Sequence, residues 1–267
     1  MFPVLNRNLP VPLYYQIAEV LLEQIRNGMY TAGAQLPSER DLSVQFGVSR
    51  MTARQAIMYL VNDGVLVVKH GQGTFVAEPK LTYDAPHLLG FTEAMLRAGK
   101  HATSAVLEQA KIQPTASIAQ HLNLAQGEPV VKIMRVRHNE DIPLVLETTY
   151  LPASKCPDLE VFDLSATALY DVLENHYHLP LHHASQTLAA HPATDFEAEL
   201  LDIEAGAPII TLEGITFLES GVPVEYFSAH YRADRFAFVF ESQRGAFDPA
   251  STPFEIILDQ QRLSQLG

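Results

Sequence analysis

The 267-residue sequence predicts an α+β protein of two domains, a three-helix domain with a β-hairpin followed by an antiparallel sheet built from a duplicated unit. Three observations carry this reading. The first eighty residues hold three helical apolar patterns and then two short strand patterns. A proline-bearing stretch, Ala77 to Pro86, follows and reads as a linker. Beyond it a helix-then-hairpin pattern occurs twice. The domains are therefore expected at 1–76 and 87–267, with the linker at 77–86, since the length exceeds one typical domain of roughly 100 to 150 residues.

The first helix follows from Leu13, Ile17, Val20, Leu21 and Ile25, which recur at helical spacing behind Pro12 and stop before Gly28 and Gly33. Ser38 is placed to N-cap the second, with Glu39 and Asp41 at its positive end, and Phe46-Gly47 closes it. Val48 and Ser49 intervene before a third stripe, Ala53, Ile57 and Leu60. Two short helices joined by a glycine-containing turn make a helix-turn-helix. Val65 to Val68 and Thr74 to Val76 read as strands joined by Lys69-His70-Gly71-Gln72-Gly73, and a hairpin in this position turns the motif into a winged helix.

Arg50 and Arg54 lie four apart and project from one face at the start of the third helix, flanked by Thr52 and Gln55. Arginine forks there can grip phosphate or the O6 and N7 edge of guanine. Lys69 and His70 at the hairpin tip suit a phosphate or the neighbouring minor groove. A formal charge of −13 argues against a nucleic-acid partner only as an average. Residues 1–80 carry seven basic and six acidic side chains, and the remaining chain carries eleven and 25. DNA contact must then come from a few placed arginines while the bulk is weakly repelled. A lone cysteine, Cys156, the lack of an apolar signal core near Met1, and the lack of any run of about 18 apolar residues point to a cytoplasmic protein without a membrane partner.

In the second domain Leu124, Gly127 and Pro129 return as Ile203, Gly206 and Pro208, each set after a helical stretch and before an apolar strand. Polar turns at Asn139-Glu140-Asp141 and Glu219-Ser220-Gly221 then lead to Pro143 and Pro223 and a second strand. Two such halves commonly pack about an approximate two-fold axis with a cleft between them. Alternation puts Arg135 and Arg137 on one strand face and Glu225, Phe227 and Tyr231 on another, while even offsets from the prolines give Glu147 and Glu225 corresponding faces. By spacing alone these are cross-strand ion pairs on solvated faces.

Two resemblances add to this. Pro12-Leu13-Tyr14 with Gln16-Ile17, Leu36-Pro37-Ser38-Glu39, Gly47-Val48-Ser49-Arg50 with Thr52 and Arg54, Gly64, and Gly71 to Val76 closely resemble the GntR-family winged helix. The resemblance implies that Arg40, Ser49, Arg50, Thr52 and Arg54 face DNA and that Lys69, His70, Gly71, Gln72 and Gly73 form the wing. Phe91 to Met95, Arg135-Val136-Arg137, Pro143 to Pro152, Leu169-Tyr170 and Pro223 to Arg232 resemble the UTRA effector domain of the HutC subfamily, which has a chorismate-lyase-like α/β fold. In members that sense amino-sugar phosphates the counterparts of Thr92, Arg135, Arg137, Glu147, Tyr170, Glu225 and Tyr231 line the pocket, with Phe91 beside them. Ala168 departs from the pattern, replacing a small hydroxyl residue that such sensors place two before the tyrosine; Thr167 should point elsewhere. The implied protein is a homodimeric repressor on a palindromic operator, tuned by a small organic anion such as a sugar phosphate or carboxylate, with no cofactor.

Two other functional classes compete with this reading. A chorismate-lyase-like enzyme would share the fold, but no G-x-S-x-G, P-loop or H-E-x-x-H motif is present, and Cys156 reads as an apolar filler. A metal-responsive regulator would need a ligand set. His176, His178, His182 and His183 cluster, but Pro180 interrupts them and no cysteine or spaced acid completes a site, so no metal ligand is assigned.

Overall fold

The computed structural model describes residues 5–7, 9–69, 71–84 and 87–240. His70, Pro86 and residues 241–267 lie outside the described residues. The first domain comprises α1 (Leu13–Arg26), α2 (Glu39–Phe46), α3 (Arg50–Asn62), β1 (Leu66–Lys69) and β2 (Gly73–Val76). The expected stripes meet in one core, where Ile17, Leu21, Leu42, Ala53, Ile57 and Leu60 are buried with Leu66 and Val76 of the hairpin. Ser38 Oγ accepts from the Asp41 amide at 3.2 Å, and Gly47 ends α2 at φ +63°. The hairpin strands run one residue further toward the tip than expected, because Lys69 and Gly73 pair across it. The Leu36 amide donates to the Thr74 carbonyl at 2.8 Å, so the segment before α2 adds to the hairpin and anchors it.

The second domain is a six-stranded antiparallel sheet in the order β4-β5-β6-β9-β8-β7. Its strands are β4 (Ala102–Ile112), β5 (Val130–Asn139), β6 (Ile142–Pro152), β7 (Leu181–Pro192), β8 (Pro208–Leu218) and β9 (Pro223–Arg232). α5 (Ala116–His121) follows β4, and α7 (Asp195–Leu201) follows β7. Each half is thus strand, helix, hairpin, one strand more than the expected unit, and the halves join through β6 and β9. The echo extends to fine detail. Thr115 and Thr194 cap α5 and α7, Asn123 and Asp202 both take φ 50°, and Gly127 and Gly206 take φ 81° and 82°. Asn and Asp tolerate the left-handed region better than other residues, and Gly enters it without strain.

α5 and α7 cover one face of the sheet, where Ile118 and Leu122 pack on Val130 and Tyr226, and Ala198 and Leu201 on Val136, Leu146 and Ile209. The other face carries α4 (Phe91–Arg97) and α6 (Leu169–Asp171), the latter running on into a π-helical turn, Val172–His176. Residues 81–84, placed in the linker by sequence, form β3 (Leu81–Asp84), which pairs in parallel with β10 (Phe236–Val239). The reason is the alternation of Leu81 and Tyr83 about Thr82. Tyr83 is buried against Tyr231 and Phe238, an apolar surface that two flanking prolines do not outweigh. Among the described residues no helix is long and apolar enough to cross a membrane.

Gly206→Ala should lower stability by about 1–2 kcal/mol, since a Cβ at positive φ meets the following carbonyl, and Gly127→Ala should match it. Urea unfolding measures both; a midpoint unchanged in either would show that the turn does not depend on its left-handed backbone.

Candidate functional site

Two surfaces carry chemistry. The first is the concavity between α2, α3 and the hairpin, lined by Arg40, Arg50, Arg54, Lys69 and Gly71-Gln72-Gly73. Its side chains are solvent-exposed. Arg54 Nε lies 3.9 Å from Glu39 Oε1 with both groups about half exposed, a contact too screened to hold the arginine back from a phosphate. Ser49 and Thr52 sit beside this surface. Ser49 Oγ accepts from the Thr52 amide at 3.1 Å and lies 2.9 Å from Thr52 Oγ1, so both fix the start of α3. Gln35 Nε2 donates to the Gln72 carbonyl at 2.8 Å, and Lys69 Nζ stands 4.8 Å over the Phe75 ring, which together hold the tip in place. His70, expected at this tip, is outside the described residues.

The second surface is a cavity of about 320 Å³ on the α4 and α6 side of the sheet. It corrects the reading of solvated ion pairs. The strand register aligns Arg135 with Glu147, and Val145 with both Arg137 and Tyr231, so residues expected on separate faces share one. Arg135 is 1% and Arg137 3% exposed. Phe91, Thr92, Tyr170 and Glu225 complete the expected set, and all eight of its residues line the cavity.

Glu147 Oε2 accepts from Arg135 Nη2 at 2.7 Å and lies 3.5 Å from Arg137 Nη1. Arg137 Nη2 donates to Thr92 Oγ1 at 2.6 Å, and its guanidinium stands 4.9 Å over the Phe91 ring. Arg135 Nη1 and Arg137 Nε are buried without a hydrogen-bond partner. Burial pulls Arg137 down to about 10, against the pull of Glu147, so it stays charged at neutral pH. Burial would raise Glu147, but the two guanidiniums outweigh it and hold the carboxyl below its usual range. Glu225 behaves oppositely. Burial lifts it to about 7, although its Oε2 accepts from Thr216 Oγ1 at 2.7 Å and Tyr170 at 2.9 Å. Near neutral pH the cavity therefore holds two guanidiniums against one firmly ionised carboxylate and one half-protonated carboxyl.

Several residues were not foreseen. Tyr83 of β3, Gln186 of β7, and Leu89 and Gly90 before α4 also line the cavity, and Thr216 braces Glu225 from the neighbouring strand. Tyr83 was legible only as the alternating aromatic of a stretch judged to be linker. Ala168 does line the cavity with a methyl group, while Thr167 is exposed and not part of the wall, as expected. Cys156 is fully buried and its thiol is pushed up to about 12, chiefly by burial, so it is no nucleophile. Among the described residues the histidines of 176–183 form no metal-ligand group; His182 Nδ1 and His183 Nδ1 lie 3.1 Å apart on an exposed edge, and His176 packs on Phe162 and Tyr177.

Residues 13–76 match the family described as bacterial regulatory proteins, gntR family, and residues 97–237 match the UTRA domain. The chain is 37% identical over 240 residues to the HTH-type transcriptional repressor NagR of Bacillus subtilis, covering 90% of this chain and 98% of that protein. It is 31% identical over 233 residues to the mannosyl-D-glycerate transport/metabolism system repressor MngR of Escherichia coli, covering 87% and 97%. Among solved structures it resembles PhnF from Mycobacterium smegmatis, with 27% identity, a TM-score of 0.59, and coverage of 85% of this chain and all of that one. The B. subtilis and E. coli relatives are named as repressors, not enzymes. A helix-turn-helix with exposed arginines, a two-fold sheet with a charged cavity, and matches along nearly the whole chain lead to one assignment: the chain belongs to the GntR family of transcription regulators, in the HutC subfamily that joins a DNA-binding domain to an effector-binding UTRA domain.

Proposed function

We propose that the chain is a repressor that grips a palindromic operator as a two-fold dimer and changes its grip when a small organic anion, a sugar phosphate or carboxylate, fills the cavity. The observation that carries the ligand class is the excess of buried guanidinium over ionised carboxylate in a cavity of about 320 Å³. Arg135 Nη1 and Arg137 Nε have donors to spare, and an anionic group supplies the acceptors they lack. Glu147 and Tyr170 are available to hydroxyl or amine groups on the same molecule. The E. coli relative is named for a mannosyl-D-glycerate system, a glycoside bearing a carboxylate, and a ligand of that chemistry suits this wall.

On DNA, Arg50 and Arg54 read base edges or phosphates from the start of α3, Arg40 and Lys69 contact the backbone, and Ser49 and Thr52 set the helix start. Each winged helix takes one half-site, with half-sites about one helical turn apart. The effector is sensed through the segment that joins the domains, because Tyr83 belongs both to that segment and to the cavity wall. A ligand that moves Tyr83 biases the arrangement of the winged helices, and a preference of about 1–3 kcal/mol for one arrangement suffices.

A thermal-shift screen of sugar phosphates and carboxylates against the purified protein, followed by calorimetry, tests the ligand class; a set of cations or neutral sugars that alone raise the melting temperature would exclude it. Arg50→Ala and Arg54→Ala should each weaken operator binding by about 1–3 kcal/mol in fluorescence anisotropy while leaving effector affinity intact. Arg135→Ala should do the reverse, and wild-type behaviour of both kinds of variant would overturn the assignments. Equal effector affinity with and without operator would remove the coupling.

The titration of Glu225 gives a further outcome. Its folded value of about 7 exceeds the ordinary carboxylate value, so the folded state keeps a proton that the unfolded chain releases. The resulting stabilisation is full below the unfolded value near 4.3 and is lost as pH rises through 7. Between pH 5 and 8 the wild type should lose roughly 2–3 kcal/mol relative to Glu225→Gln in urea unfolding. Parallel pH profiles for the two would mean that Glu225 titrates normally.

A further inference from the structure

On the face of the sheet opposite the cavity, one donor atom from each of His191, Glu197 and His230 lies within 4.8 Å of the others. His191 comes from the end of β7, Glu197 from α7 and His230 from β9. We propose that these three side chains bind a zinc-class divalent cation, with water at the open fourth position.

The supporting hydrogen bonds orient each ligand. Glu197 Oε2 accepts from the Thr194 amide at 2.8 Å and the Thr194 hydroxyl at 2.7 Å, which leaves Oε1 facing the histidines. His191 Nδ1 lies 3.0 Å from the Pro192 carbonyl, an acceptor only, so that nitrogen carries the proton and Nε2 presents a lone pair. His230 Nε2 lies 3.0 Å from Ser228 Oγ, a hydroxyl able to accept, which frees Nδ1 as a ligand. His191 Nε2 and His230 Nδ1 then stand 3.6 Å and 2.5 Å from Glu197 Oε1. Donors on a tetrahedral zinc sit roughly 3.3 Å apart given Zn–N bonds of about 2.0–2.1 Å, so small side-chain shifts complete the site.

The His230 and Glu197 contact makes sense as a plain hydrogen bond. At 3.6 Å the His191 contact is too long for a hydrogen bond, and a neutral ring turns a lone pair toward the carboxylate there, an arrangement that a cation between them, or a second ring proton, relieves. Two imidazoles and one carboxylate suit zinc and its later first-row neighbours, whereas calcium and magnesium demand oxygen ligands. Exposures of 18% for His191 and 27% for His230 leave a way in for the ion and its water, with Glu197 at 7% beneath. His230 is flanked on β9 by Ala229 and Tyr231, which line the cavity on the other face, so the ion would brace that strand from behind.

Chelator-treated full-length protein is dialysed against zinc, and bound metal is counted by mass spectrometry for wild type, His191→Gln, His230→Gln and His182→Gln. Wild type and His182→Gln should bind one zinc per chain more than the other two, and the visible spectrum of a four-coordinate cobalt complex should vanish with that zinc. Circular dichroism verifies that His191→Gln, altered at a strand end, remains folded. Equal zinc uptake by wild type and folded His191→Gln, or loss of the ion in His182→Gln alone, would overturn the proposal. The result is independent of the effector and operator assays, so its failure leaves the proposed function standing.

Discussion

The pairing of β6 with β9 is the constraint on which the second domain depends. It joins the two halves edge to edge and so puts Glu147 of one and Glu225 of the other on a single buried face with Arg135 and Arg137. Charges taken out of water on this scale must be matched, and Glu147 is shared between two guanidiniums to do so. The neighbouring carboxyl is left without a cation of its own and retreats toward its neutral form. Two chemically identical groups on corresponding faces of a duplicated fold, but at different positions along their strands, thereby have different protonation behaviour, and a symmetric scaffold holds an asymmetric cavity.

The winged helix obeys a different economy of charge. Its core needs only apolar side chains, and the cations of its concavity lie exposed on the surface, where desolvation costs them little until a partner arrives. The acidic excess is carried by the other domain. In the proposed complex, specific geometry at α3 and the hairpin therefore matters more for a duplex than bulk attraction does, and hydrogen bonds such as Gln35 to Gln72 keep that geometry fixed.

Much of this was legible from sequence. The helix stripes, the Ser38 cap and the Gly47 stop are local signals and lie where periodicity put them. The duplication was visible at Gly127 and Gly206 because left-handed turns need particular residues. The shared face of Arg135, Glu147 and Tyr231 came from the family resemblance and not from spacing, since register between strands far apart in the chain is a tertiary property that alternation within one strand cannot supply. The same reason hid β3, whose partner lies at the far end of the sheet domain, and the convergence of His191 with His230. Prolines near Leu81 argued for a linker, and burial of Tyr83 prevailed over them.

The β3 and β10 ladder also has a consequence in time. Leu81 pairs with Phe236, about 155 residues later, so the strand nearest the winged helix is synthesised early and waits for its partner. At translation rates of about 5–20 residues per second the interval is on the order of ten seconds or more. The winged helix, whose core is drawn from residues between Leu5 and Val76, is synthesised well before that. A nascent chain thus has a complete helix-turn-helix while the wall that Tyr83 contributes is still open, and that wall closes only after β10 has left the ribosome.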